Sequence, residues 1–74
     1  MATQTLGLRL RHLRRDRSLT LSRLAASAGL SVSYLNDIEH DRTVPTLKTL
    51  GSIADALGLS VRDFLKDVHS YDHD

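Results

Sequence analysis

Apolar residues recur along this chain at the three- and four-residue spacing of helices, and short polar or glycine-containing breaks separate the apolar segments. The pattern predicts five helices, over about residues 5–16, 21–28, 32–40, 47–57 and 61–65. The positions expected to face inward are Leu6, Leu10, Leu13, Leu24, Ala25, Ala28, Leu35, Ile38, Leu47, Leu50, Ile53, Ala54, Leu57, Val61, Phe64 and Leu65. The expected fold class is therefore all-α, a compact bundle of five short helices.

The stretch from Thr20 to Glu39 predicts two helices joined by a tight turn. Thr20 and Ser31 are suited to cap the starts of the two helices, because a side-chain hydroxyl can accept from a free N–H of the first turn. Gly29 can adopt the left-handed conformation that ends the first helix. A helix-turn-helix of this kind leaves the outer face of its second helix available for a DNA groove.

Length and composition limit the class of protein. With 74 residues, the chain is expected to form one domain over residues 1–68 and a short, flexible acidic tail over residues 69–74. There is no cysteine, which excludes disulfides and thiolate zinc sites. No apolar run approaches the roughly 20 residues that cross a bilayer, and no signal-peptide pattern is present. We therefore expect a cytoplasmic protein with no membrane association.

The net charge of +1 conceals an uneven distribution. Asp16 is the one acidic residue among the first 23, which include Arg9, Arg11, Arg14, Arg15, Arg17 and Arg23. The last dozen residues carry a net negative charge, with four aspartates against Lys66. We interpret the arginine-rich segment as a side presented to a polyanion.

Candidate catalytic and metal-binding residues are sparse. His69 and His73 are four residues apart, which would place two imidazoles on one helix face. Metal ligation needs a third, firmly held ligand, and these histidines lie in the predicted tail. No glycine-rich phosphate loop and no serine–histidine–aspartate arrangement is evident. We expect no enzyme activity, no metal site and no cofactor.

Four motifs occur in register: LAASAGLS at residues 24–31, YLNDIE at 34–39, PTLKTL at 45–50 and ALGLS at 56–60. Together, over residues 6–65, they resemble the Cro/CI/XRE-type helix-turn-helix repressors. The resemblance implies a lambda-repressor-like five-helix domain, with the motif at helices 2 and 3. It also implies a bacterial or phage-type, nucleoid-associated protein that binds double-stranded operator DNA as a homodimer and represses transcription.

The resemblance also implies site residues. The family's base-reading positions correspond to Val32, Ser33, Asn36 and Asp37. Its phosphate-contacting positions correspond to Thr20, Leu21, Arg42 and Thr43, to which we add Arg23, Tyr34 and Lys48 as further phosphate contacts. Arg14 and Glu39 match a pair that joins helix 1 to the end of helix 3, and we interpret this pair as structural.

Three positions depart from the family pattern. Leu21 stands where glutamine is usual, Val32 where a longer polar residue usually begins the recognition helix, and Asp41 where glycine is usual. The recognition helix therefore carries no base-reading cation. Three interpretations follow: readout through thymine methyl and amide groups, affinity held by arginine contacts to the DNA backbone, or loss of strong DNA binding. Asp37 would repel phosphate, although it can accept from cytosine N4.

One helix-turn-helix reads only a few base pairs, so we expect two copies on a palindrome. The expected dimer interface is formed by Leu59, Val61, Phe64 and Val68. The main alternative is a protein-interaction module, antitoxin-like or an anti-regulator, which would use residues 36–41 with exposed Leu21, Val32 and Val44. A further alternative is the DNA-binding part of a longer repressor. We expect no small-molecule effector domain, which would favour control by abundance or by partners.

Overall fold

The computed structural model describes residues 4–68. These residues form five α-helices: α1 (Leu6–Asp16), α2 (Leu21–Ala28), α3 (Val32–Glu39), α4 (Leu47–Leu57) and α5 (Val61–Phe64). The expectation of an all-α, five-helix domain is confirmed. The proposed tail, with His69 and His73, lies outside the described residues.

Hydroxyl side chains set the start of each described helix. Thr5, Thr20, Ser31, Thr46 and Ser60 each accept a hydrogen bond from the backbone N–H three residues further on. Each bond satisfies a first-turn N–H that has no partner within its helix. Because Thr5 and His40 are caps, α1 begins one residue later than predicted and α3 ends one residue earlier.

Left-handed residues set the ends of the first four helices. Ser18, Gly29, Asp41 and Gly58 have φ between 55° and 75°. After α3, Asp41 N donates to Ile38 O at 3.0 Å and Arg42 N donates to Asp37 O at 2.9 Å, the paired bonds of a Schellman motif. Asp41 replaces the usual glycine and adds a contact, since its Oδ1 accepts from Gly7 N at 2.9 Å. One side chain therefore joins the end of α3 to the start of α1.

The core lies where α1 packs against α3 and where α2 packs against both α3 and α4. Its fully buried large side chains are Leu10, Leu24, Leu35, Ile38, Ile53, Phe64 and Val68. The predicted inward stripes of α1, α2 and α3 are all buried. These stripes hold α3 with one face inward and leave its opposite face at the surface.

Gly7 permits an unusually close approach of α1 to α3. A Cβ atom at this position would lie 2.4 Å from Glu39 O and 2.6 Å from Ile38 O. Both neighbours are backbone atoms at the end of α3, so neither can rotate away. No local pattern in the sequence marks Gly7, although this glycine sets the distance between the two helices.

The prediction that Leu47 is buried is wrong, because its side chain is 73 % exposed. A helical side chain covers the turn that precedes its own Cα. For Leu47, in the first turn of α4, that preceding segment is the surface loop containing Val44, which is 77 % exposed. Leu50, one turn later, is buried as predicted.

The prediction that Phe64 and Val68 contact a dimer partner is also wrong. Both side chains are fully buried within the chain. After α5 the backbone turns at Asp67, with φ of 67°, and Gln4 N donates to Asp67 O at 2.9 Å. This turn brings Val68 back into the core. Of the four predicted interface residues, Leu59 and Val61 keep part of their surface exposed.

Candidate nucleic-acid interface

The outer face of α3 carries the residues that the family pattern identifies as base-reading. Ser33 is exposed and Val32 is 43 % exposed, whereas Asn36 and Asp37 are half-buried. Leu35 and Ile38 occupy the opposite face and are fully buried. The helix therefore presents one small apolar group, one hydroxyl, one amide and one carboxylate at its surface.

The N-terminus of α2 offers main-chain donors. Thr20 Oγ1 accepts from Arg23 N at 3.0 Å, and among the described residues no acceptor is bonded to the N–H of Leu21 or of Ser22. These N–H groups and the helix dipole are suited to an anion such as a phosphate. Leu21 is half-buried against the core, so the group that it offers to an anion is its main-chain N–H rather than its side chain. The alternative that used an exposed Leu21 loses this residue.

The remaining predicted phosphate contacts lie around α3. Tyr34 is half-buried and packs against the core, and Thr43 is half-buried in the loop after α3. Lys48 is exposed in the first turn of α4, and Arg23 is exposed on α2. Since α2 contacts both α3 and α4, these residues belong to neighbouring elements of one domain.

Arg14 and Glu39 join α1 to the end of α3 through two hydrogen bonds. Arg14 Nε donates to Glu39 Oε2 at 2.6 Å and Nη2 donates to Oε1 at 3.1 Å. Nη1 of the same guanidinium donates to Leu19 O at 2.8 Å, just before α2. The hydrogen bond to Glu39 raises the pKa of Arg14, so the guanidinium stays protonated at every pH at which the domain would work.

The geometry of this pair fixes the angle of α3. Glu39 is only 3 % exposed, so its carboxylate depends on Arg14 for compensation of its charge. Arg11 adds a longer contact of 3.8 Å from its Nε to Glu39 Oε1. One carboxylate at the end of α3 is thereby held by two arginines of α1 and, through Arg14, tied to the turn before α2.

Four arginines of the arginine-rich segment bond to acceptors on other helices or turns of the domain. Arg9 donates to Phe64 O at 3.0 Å and to Asp63 O at 2.8 Å, and Arg17 donates to Leu57 O at 3.0 Å. These carbonyls lie at the ends of α4 and α5, where the helices leave acceptors unpaired. With Arg11 and Arg14 bound to Glu39, four of the six arginines are engaged inside the domain. Arg15, Arg17 and Arg23 are nevertheless exposed, so the presentation of this segment to a polyanion stays a prediction.

Arg42, in the loop after α3, is the cation nearest in sequence to the recognition helix. Its Nε donates to Asp37 Oδ1 at 3.0 Å. The two side chains are 54 % and 44 % exposed, respectively. A residue predicted to read a base thus binds a residue predicted to contact a phosphate.

Comparison with known proteins agrees with this architecture. A family model described as a helix-turn-helix domain matches residues 5–65. The chain belongs to the Cro/CI/XRE-type helix-turn-helix family. This family consists of DNA-binding transcription-regulator domains.

Two relatives of this chain are themselves named as a transcriptional regulator and a repressor. The helix-turn-helix domain is 48 % identical over 63 residues to the HTH-type transcriptional regulator DdrOP3 of Deinococcus deserti, covering 85 % of this chain and 49 % of that protein. It is 51 % identical over 57 residues to the immunity repressor protein of Bacillus phage phi105, covering 77 % and 40 %. The chain therefore spans half or less of the length of these two curated relatives.

A solved structure supports the fold directly. The crystal structure of SinR, a master regulator for biofilm formation, in complex with DNA superposes with a TM-score of 0.77 at 34 % identity. The match covers 82 % of this chain and 98 % of that one. Among residues 4–68, no helix combines the length and apolarity needed to span a bilayer.

Proposed function

We propose that this helix-turn-helix domain is a sequence-specific transcriptional repressor that binds a palindromic operator as a homodimer, with α3 in the major groove. The observation that carries the proposal is the exposed polar face of α3, fixed in orientation by the Arg14–Glu39 pair. A helix that reads bases must be held rigidly, because a shift of its angle moves every side chain out of register with the base edges.

The surface of α3 is suited to direct readout without a cation. Asn36 carries an amide that can pair with the N6 and N7 of adenine, and the methyl groups of Val32 can contact the thymine methyl. The hydroxyl of Ser33 can donate to or accept from either type of base pair. These chemistries favour an operator whose half-sites contain A·T pairs opposite α3.

Contacts to the DNA phosphates would surround this face of α3. The free N–H groups at Leu21 and Ser22 bind one phosphate, with Thr20 and Arg23 beside them, and Arg42 and Thr43 bind another after α3. Lys48 and the hydroxyl of Tyr34 extend the contacts along the backbone. Such contacts set the register of α3 on the duplex but carry little sequence information.

Two copies of the domain are needed for useful specificity, since each good base contact contributes only about 1–3 kcal/mol. Symmetric half-sites would lie about 34 Å apart, one turn of B-DNA. The interface we propose is smaller than the one expected from the sequence and is built on Leu59 and Val61. We place such a protein in the cytoplasm, where the bacterial chromosome lies. The domain that binds the operator would cover residues 1–68.

Substitution of Arg42 by alanine is expected to weaken binding to all duplexes alike. Loss of one phosphate contact should flatten the slope of log Kd against log salt concentration by about one unit. Substitution of Ser33 or Asn36 should keep that slope and change the preferred sequence. Fluorescence anisotropy over a salt series, on duplexes selected from a random library, measures both effects.

The same salt series separates the proposal from a protein-interaction module. A DNA-binding domain loses affinity steeply as salt concentration rises, even on random-sequence duplex. Binding to neither selected nor random duplex at low salt would contradict the proposal and favour a protein partner. Identical effects of the Arg42 and Ser33 substitutions would contradict our division between backbone and base contacts.

A further inference from the structure

Asp37 and Arg42 are joined at two points. The first contact is between main-chain atoms: Arg42 N donates to Asp37 O at 2.9 Å as part of the turn that ends α3. The second contact is between side chains: Arg42 Nε donates to Asp37 Oδ1 at 3.0 Å. The start of the loop is thereby fixed to the recognition helix by both backbone and side chain.

Asp37 binds one edge of the Arg42 guanidinium and leaves the opposite edge free. A guanidinium has five N–H donors in a planar fork, and its Nη1–Nη2 edge matches two oxygens of a phosphate. Asp37 binds Nε alone, and within residues 4–68 no other acceptor is hydrogen-bonded to the Arg42 side chain. The outer edge of the fork is therefore available to an anion while the inner edge is held.

We propose that Asp37 is a positioning residue for DNA binding: its carboxylate orients the Arg42 guanidinium so that the open edge meets a backbone phosphate when α3 enters the groove. The inference rests on the proposed function. A flexible arginine loses rotamer freedom when it binds a phosphate, and an arginine already held loses less. This role explains why a helix that faces DNA carries an acidic residue. Without a cationic partner, the Asp37 carboxylate would only repel the DNA phosphates.

A double-mutant cycle of Asp37→Ala and Arg42→Ala tests the proposal through the sign of the coupling. In the chain that retains Arg42, Asp37→Ala is expected to weaken binding to the selected duplex about 3- to 5-fold. In the Arg42→Ala chain, the same change removes only a repelling charge, so affinity should stay equal or rise about 2-fold. A purely structural role for Asp37 would not reverse in sign with the residue at position 42.

Asp55→Ala serves as a matched control, because Asp55 is an exposed carboxylate on α4 with no described ion-pair partner. It removes the same charge and should leave affinity unchanged or slightly raised. Circular dichroism checks that each variant is folded, which we expect because the Asp37–Arg42 pair is exposed.

Two results would overturn the inference while the proposed function stands. If Asp37→Ala raises affinity more in the presence of Arg42 than in its absence, Asp37 competes with phosphate. If it changes affinity equally in both backgrounds, or changes the preferred base at one position without coupling, it acts independently of Arg42. Failure of the unsubstituted domain to bind DNA at low salt overturns the proposed function and this inference with it.

Discussion

Substitution of Gly7 by alanine is expected to lower the melting temperature of the domain by about 10–25 °C, through a loss of about 3 kcal/mol or more. The added Cβ would lie 2.4 Å from Glu39 O, so α1 must move away from α3. That movement also breaks the bond from Gly7 N to Asp41 and strains the Arg14–Glu39 pair. Thermal unfolding followed by circular dichroism measures the effect.

Gly51→Ala is the matched control for this substitution. Gly51 lies within α4, and a Cβ there would meet nothing within 4 Å. Alanine favours a helix interior over glycine by about 0.5–1 kcal/mol, so this variant should be slightly more stable than the native chain. If Gly7→Ala melts at the same temperature as Gly51→Ala, the close approach of α1 to α3 is incorrect.

Substitution of Glu39 by glutamine is expected to reduce the free energy of unfolding by about 3 kcal/mol. The change leaves the Arg14 guanidinium, which is only 14 % exposed, without the carboxylate that compensates its charge. Breaking a buried pair from one side is costly because the remaining charge cannot recover its hydration. Urea denaturation at neutral pH measures the loss.

Asp37→Asn provides the comparison for Glu39→Gln, since it neutralises one side of an exposed pair at a position two residues earlier in the same helix. Its effect on the free energy of unfolding should not exceed about 1 kcal/mol. Equal losses for the two variants would show that burial of Glu39 does not determine how firmly α3 is held. A large loss for Glu39→Gln alone would identify the Arg14–Glu39 pair as the anchor of the recognition helix.

The helices and most of the core could be predicted from sequence because their signals are local. A hydroxyl residue before an apolar stripe and a glycine after it act within a few residues, as at Thr20 and Gly29. The prediction failed at Leu47, because the segment that this first-turn side chain would cover is the exposed loop before α4. It also failed at Phe64 and Val68, because the return of the chain after α5 depends on a left-handed turn at Asp67 that no local pattern indicated.

The contacts that orient α3 were less accessible to sequence reasoning because they join residues far apart in the chain. The Arg14–Glu39 pair was expected through resemblance to the family, not through charge spacing. Gly7 and the carboxylate of Asp41 meet across 34 positions. Asp41 stands out in the sequence only as a departure from the family's glycine, and no local pattern indicates its contact with Gly7. Composition likewise does not show that carbonyls at the ends of α4 and α5 accept hydrogen bonds from Arg17 and Arg9, respectively.

The proposed function requires that the exposed face of α3 bind a DNA duplex. A ¹H–¹⁵N NMR titration of the domain with a duplex selected from a random library tests it most directly. We predict the largest shift changes at the amides of Val32, Ser33 and Asn36, with smaller changes at residues 20–23 and 42–43. Changes concentrated instead at Arg62 and Lys66, the exposed cations at the α5 end of the domain, with the amides of α3 unaffected, would contradict the account.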